Sequence, residues 1–88
     1  MAVNSAHTTY VLYGTSACHL CEVAEELLNA LNDQGLGLAF EKVDISDSDE
    51  LFERYGVRIP VLAYPGGDEL GWPFTAEDVV DFLSRPAP

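Results

Sequence analysis

Basic residues are scarce in this chain. Four Lys and Arg stand against fifteen Asp and Glu, for a formal charge of -11, and a field of that sign repels phosphate backbones and anionic membrane surfaces. Nucleic acid is therefore not an expected partner. Cysteine is equally sparse: Cys18 and Cys21 are the whole complement, too close together to staple distant segments and too few for a disulfide-rich secreted scaffold. Their use should be chemical. No apolar run approaches the ~20 residues that cross a bilayer, and the opening residues Met1 to Leu20 hold no Lys, no Arg and no long apolar core, so no membrane span and no secretory signal are expected. The expected address is cytoplasmic. Repeats, low-complexity stretches and linkers are also absent. Eighty-eight residues leave room for a single hydrophobic core, so one domain over residues 1–88 is expected, its core spanning about residues 8–84, as a monomer.

What is present alternates between strand and helix signals. Thr8 to Tyr13 is a β-branched and aromatic run stopped by Gly14, which reads as a strand followed by a loop through Ala17. From the cysteine pair onward, Leu20, Val23, Ala24, Leu27, Leu28 and Leu31 recur at helical spacing. Glu22, Glu25, Glu26 and Asn29 then face water, and Gly35 closes the helix. Leu38 to Val43 resumes extended character, and a short acidic helix through Leu51, Phe52 and Tyr55 follows, ended by Gly56. Ser46 with Asp49 is spaced as a cap for it, and Thr75 with Asp78 repeats that spacing ahead of a last helix carrying Val79, Val80, Phe82 and Leu83. Between these helices Val61 to Tyr64 and Glu69 to Trp72 flank Pro65-Gly66-Gly67-Asp68, a hairpin signature. The order β-α-β-α-β-β-α implies a parallel first pair, an antiparallel last pair and a mixed four-stranded sheet covered by helices. It sets the loop from Gly14 to Ala17 at the carboxyl end of the first strand, where open α/β sheets place their sites.

Cys18-His19-Leu20-Cys21 opens the first helix. The i, i+3 spacing sets the two sulfurs side by side, able to cycle between dithiol and disulfide. Unpaired amides and the positive end of the helix dipole favour an anion at Cys18, and thiolate rather than thiol is the nucleophile. Cys18 is thus the expected attacking residue, and Cys21, one turn in, the resolving one. Inert core cysteines are the bland alternative. Two thiolates fall short of the four ligands of structural zinc, His7 and His19 complete no evident set, and no metal site is expected. Soft Cu(I) needs only the thiolates, so a metal-transfer module stands as the rival reading, and a non-catalytic redox-responsive adaptor as another. His19 reads as an exposed helix-start residue, Asp44 as a helix cap rather than a proton acceptor, and Asp47, Asp49, Glu50 and Glu53 as a solvated face. Trp72 and Phe74 read as core or hairpin cover.

The segment Tyr13-Gly14-Thr15-Ser16-Ala17-Cys18-His19-Leu20-Cys21, the run Gly56-Val57-Arg58-Ile59-Pro60-Val61 and the turn Pro65-Gly66-Gly67-Asp68 together resemble the thioredoxin superfamily, and within it the glutaredoxin-like branch, over nearly the whole chain. The resemblance implies a three-layer α/β/α thioredoxin-like fold and a small thiol-disulfide oxidoreductase with no bound cofactor. Its partner would be a disulfide-containing protein or a low-molecular-weight thiol, with glutathione a candidate co-substrate. It also implies a cis Ile59-Pro60 bond, with Ile59 offering main-chain hydrogen bonds and Pro60 keeping the sulfurs accessible. Ser16, Ala17, His19, Ile59 and Pro60 would line the substrate. The sequence departs from glutathione-using relatives in having no base in Thr15-Ser16-Ala17 and aromatic bulk at Trp72-Pro73-Phe74. Arg58 is the basic residue placed nearest the site, and it reads as a solvated strand-entry residue.

Overall fold

The computed structural model describes residues 9–65 and 67–84; the expectations placed on His7, Thr8 and Gly66 lie outside them. Strand β1 (Thr9–Gly14) leads to helix α1 (His19–Asp33), strand β2 (Ala39–Asp44), a 3-10 turn (Ile45–Asp47) and helix α2 (Asp49–Tyr55). Strands β3 (Val61–Ala63) and β4 (Glu69–Gly71) and helix α3 (Ala76–Ser84) complete the expected order. The sheet runs β2-β1-β3-β4. β1 and β2 are parallel, and the pairs β1–β3 and β3–β4 are antiparallel, so the mixed four-stranded sheet and the thioredoxin-like fold class are as expected.

Strand alternation sorts the apolar side chains into two cores. Leu12 and Leu62 face one side, packed with Ala24 and Leu28 of α1 and Val79 and Phe82 of α3. Their strand neighbours Tyr13 and Val61 face the other side, packed with Ile45 and with Leu51 and Tyr55 of α2. The sheet is therefore the middle of three layers. Phe74 is buried and Trp72 half-buried against the larger core, in an edge-to-face pair with centroids 5.0 Å apart, which makes both residues core cover.

Helix α1 buries Cys21, Ala24 and Leu28, with Leu27 and Leu31 half-buried beside them. Leu20 departs from the expected apolar face: it is 46% exposed. Glu25, expected to face water, is half-buried against β2. The helix ends in a Schellman arrangement. Leu36 N–H donates to Leu31 C=O and Gly35 N–H to Asn32 C=O, each at 3.0 Å, and Gly35 takes φ 100°, which a side chain would resist. Asn32 then clamps the incoming strand, its amide donating to Leu38 C=O at 2.9 Å and accepting from Leu38 N–H at 2.8 Å. That clamp sets Leu38 into the core at the entrance to β2.

Capping differs from expectation at one helix and agrees at another. Ser48, not Ser46, caps α2, its hydroxyl accepting from Leu51 N–H at 3.3 Å. The 3-10 turn consumes the first residues after β2, so the α-helical frame starts later. Asp44 caps that turn, accepting from Ser46 N–H at 2.9 Å and from its hydroxyl at 2.6 Å. At α3 the reciprocal box forms: Asp78 N–H donates to Thr75 Oγ1 at 3.2 Å and Thr75 N–H to Asp78 Oδ2 at 2.9 Å. Among the described residues no helix is long and apolar enough to cross a membrane.

Leu28 is fully buried at the meeting of α1 with the sheet. Leu28→Ala should lower unfolding stability by about 2–5 kcal/mol, read from denaturant melts. A cost below ~1 kcal/mol would show that this face is not the main core.

Candidate active site

The parallel pairing of β1 with β2 and its antiparallel pairing with β3 bring two segments to one end of the sheet. Tyr13 pairs with Val61, so the chain leaving β1 through Gly14 and the chain entering β3 through Pro60 emerge side by side. The first runs directly into α1. Cys18 is the N-cap residue, with extended backbone (φ -102°, ψ 109°), and its Sγ accepts a hydrogen bond from Cys21 N–H at 3.0 Å. A sulfur thus takes the place of the oxygen that usually satisfies an orphan amide of the first helical turn. Cys18 and Cys21 are joined as a disulfide with Cα atoms 5.2 Å apart, inside the range that a bridge spans without moving backbone. Their environments differ: Cys18 is half-exposed and Cys21 only 8% exposed.

Close packing behind Cys21 explains Gly14. A Cβ at that position would stand 2.8 Å from Cys21 Sγ and 3.1 Å from its Cβ, so only a residue without a side chain lets the sulfur lie against the end of β1.

The other expected site residues divide into three kinds. Ser16 and Ala17 are exposed in the loop ahead of Cys18. His19 projects to solvent, 84% exposed and 4.0 Å from Glu22, as an exposed helix-start residue. Pro60 is fully buried and Ile59 half-buried, and the bond between them is cis, as is Trp72-Pro73. Ile59 corrects one expectation. Its N–H donates to Tyr55 C=O at 3.1 Å, sharing that acceptor with Arg58 N–H at 2.8 Å, and is therefore not a free donor. The segment after α2 winds on as a turn and takes up the amide.

That segment is tied down by charge. Arg58 Nη2 lies 2.6 Å from Glu69 Oε1 and Arg54 Nη2 3.9 Å from Glu69 Oε2, while Tyr55 O–H donates to Glu69 at 2.5 Å. Both guanidinium groups lie over the Tyr55 ring, at 5.5 and 5.2 Å, and that ring stacks on Tyr13 at 4.3 Å. Arg58 is thus a structural tie rather than a free solvated residue. The Tyr55 and Arg58 hydrogen bonds hold the Glu69 carboxyl below its usual range. Burial, then the Glu69 bond, pushes the Tyr55 phenol up to about 12.

On the opposite side of the disulfide a cleft of about 380 Å³ opens between α1 and β2. Gly14, Thr15 and Ser16 form one wall and Cys21 reaches it from the helix, with Glu22 and Glu25 of α1 facing Lys42 and Asp44 of β2. Lys42 Nζ sits 3.2 Å from both carboxylate oxygens of Glu25. The sequence reading missed Lys42, since nothing local marks a lysine in the middle of a strand; the parallel β1–β2 register carries it to the cleft. The Ser46 hydroxyl and amide hold the Asp44 carboxyl below its ordinary value. Among the described residues no group of three or more His, Cys, Asp or Glu side chains gathers to hold a metal ion.

Comparison with known proteins places this geometry. The family description "Glutaredoxin-like domain (DUF836)" matches residues 9–84. The X-ray structure of target protein XcR50 from X. campestris is 42% identical, with a TM-score of 0.75 over 88% of this chain and 99% of that one. Protein Ne2328 from Nitrosomonas europaea is 29% identical, with a TM-score of 0.72 over 88% and 92% of the two chains. A malarial protein, 15% identical with a TM-score of 0.61 over 86% and 92%, shares the fold. Curated proteins give no match.

Two outcomes follow from the packing and the charge cluster. Gly14→Ala should destabilise the oxidised protein by about 1–3 kcal/mol through overpacking, and the cost should shrink when Cys21 is also replaced by Ala. Equal costs in both backgrounds would refute the contact. Tyr55→Phe should cost about 1–2 kcal/mol at neutral pH. Because the folded Glu69 pKa is depressed, the carboxylate's contribution is complete above its unfolded value near 4.3 and is lost as pH falls through the lower folded value. The Tyr55 pKa is raised, so its contribution is complete below about 10 and fades as pH climbs toward about 12. The gap between wild type and Tyr55→Phe should therefore narrow at both extremes in pH-dependent melts.

Proposed function

This chain belongs to the glutaredoxin-like domain family of the thioredoxin superfamily, and from that premise we propose that it is a thiol-disulfide oxidoreductase cycling Cys18 and Cys21. The observation that carries the reading is the N-cap sulfur: Cys18 Sγ, half-exposed, already accepts a helix amide while bonded to Cys21. Reduced, the same amide and the helix dipole would stabilise its negative charge. The Cys18 thiolate attacks a substrate disulfide, the substrate S–S bond breaks, and one substrate sulfur leaves as a thiolate that takes a solvent proton. The mixed disulfide is then attacked at Cys18 Sγ by the Cys21 thiolate. The Cys18–Cys21 bond forms and the second substrate thiolate departs. The substrate gains two electrons and the dithiol loses them.

The proposed substrates are proteins with accessible disulfides, acting in a reducing cytoplasm. Leu20, between the cysteines, and Val57, in the segment before Pro60, are both exposed at this end of the sheet, which suits a polypeptide. Glutathione is the low-molecular-weight thiol proposed as co-substrate. The copper-transfer and adaptor readings have no observation in their favour beyond the two thiols.

Insulin reduction driven by dithiothreitol tests the assignment. Cys18→Ser should abolish turnover, whereas Cys21→Ser should accumulate a covalent protein–substrate adduct visible by mass spectrometry. An adduct formed by Cys18→Ser instead would reverse the roles, and no turnover by the wild type would end the reading.

A further inference from the structure

The proposed cycle gives Cys18 a clear source of anion stabilisation and gives Cys21 less: it is the third residue of α1, beyond the capping position, and only 8% exposed. What it faces is the cleft between α1 and β2. The charged groups lining that cleft are Glu22 and Glu25 from α1 and Lys42 and Asp44 from β2. The loop wall offers Thr15 and Ser16, neither of them ionised, and Arg58 on the opposite side of the site is bonded to Glu69. Three carboxylates lining the cleft that a thiol faces favour its protonated form, because like charges raise its pKa. Lys42 is the sole cation among the cleft-lining residues.

The placement of Lys42 is fixed from both sides. Glu25 follows Cys21 by four residues, one helical turn along the same face, and Lys42 Nζ is held at 3.2 Å from both Glu25 oxygens. In β2 the lysine pairs with Leu12, whose neighbour but one is Gly14, the residue that Cys21 lies against. Helix and sheet thus bring ammonium and sulfur to one cleft.

Resting on the oxidoreductase reading, we infer that Lys42, positioned by Glu25, sets the ionisation of the resolving thiol Cys21 and thereby the rate at which the mixed disulfide is released. The ammonium offsets the surrounding carboxylates when the Cys21 proton leaves to solvent, so that thiolate is present to attack Cys18 Sγ. The Lys42 pair is a positioning and electrostatic device; it forms no bond to substrate.

The test reads Cys21 in two ways. In a Cys18→Ser background, the pH midpoint of iodoacetamide alkylation reports the Cys21 pKa directly, whether or not the protein catalyses exchange. In the two-cysteine protein, the neutral probe 2,2′-dithiodipyridine should release one thiopyridone as Cys18 attacks and a second as Cys21 resolves. Lys42→Met should raise the alkylation midpoint by up to about one unit, as loss of an opposite charge on the same cleft does. A one-unit rise cuts the thiolate tenfold, yet a more basic thiolate is more nucleophilic, so the second release at neutral pH should slow by about three- to fourfold with the first unchanged. Lys42→Arg should restore the midpoint, and Glu25→Gln should lower it. An unmoved midpoint in Lys42→Met, or no rescue by Lys42→Arg, overturns the inference. Wild type releasing only one thiopyridone would overturn the exchange reading, leaving the alkylation midpoint to decide the role of Lys42.

Discussion

At the start of α1 a sulfur does the work usually given to a serine or aspartate oxygen. The first amides of a helix have no partner within it and need an acceptor from the residue before; here Cys18 Sγ accepts the amide of Cys21. The same atom is then cap, disulfide partner and proposed nucleophile, and these roles need not compete. An acceptor of N–H bonds at the positive end of a helix dipole is better satisfied as it becomes more negative. Reduction would therefore strengthen the cap rather than break it. The geometry that makes this possible is set behind the cysteines: β1 must end at a residue with no side chain, since a Cβ at Gly14 would meet Cys21 Sγ at 2.8 Å.

The two sulfurs occupy different chemical settings although they are bonded to each other. Cys18 Sγ accepts a backbone amide, whose dipole does not titrate. Cys21 sees side chains across a cleft, where charge depends on which residues two separate elements contribute. Under the proposed roles, the attacking thiol would draw on the backbone and the resolving thiol on the residues that α1 and β2 contribute to the cleft. That separation matters because exchange rates depend on both the attacking and the leaving sulfur.

Local chemistry was legible in the sequence, and features made by tertiary pairing were not. The order of elements, the Cys-x-x-Cys at a helix start, the Gly35 helix stop, the Asp44 cap and the Thr75–Asp78 box all follow from residues near in sequence, and the structure has each of them. The α2 cap moved from Ser46 to Ser48 because a 3-10 turn and an α-helix share the same start signals, and spacing alone does not say which forms first. Ile59 lost its free amide to Tyr55 C=O, a bond within the turn after α2 that no residue type announces. Arg58 and Lys42 were misread or missed for a common reason. The partner of each is remote in sequence, Glu69 and Glu25 respectively, and strand register rather than composition brings them together.

The scarcity of cations makes their placement informative. The described residues contain Lys42, Arg54 and Arg58 as their basic side chains, and all three serve as ties on the two sides of the disulfide. Lys42 joins β2 to α1 through Glu25, and Arg54 of α2 and Arg58 of the segment before Pro60 join β4 through Glu69. Exposed pairs of this kind contribute only about 0–1 kcal/mol to folding, so global stability is a poor reason for spending so few positive charges there. Alignment is a better one. Each tie fixes a wall of the site to the sheet that carries the loop to Cys18. In a chain of charge -11, each tie offsets one carboxylate at that end of the sheet, whereas Asp49, Glu50 and Glu53 on α2 stand in solvent.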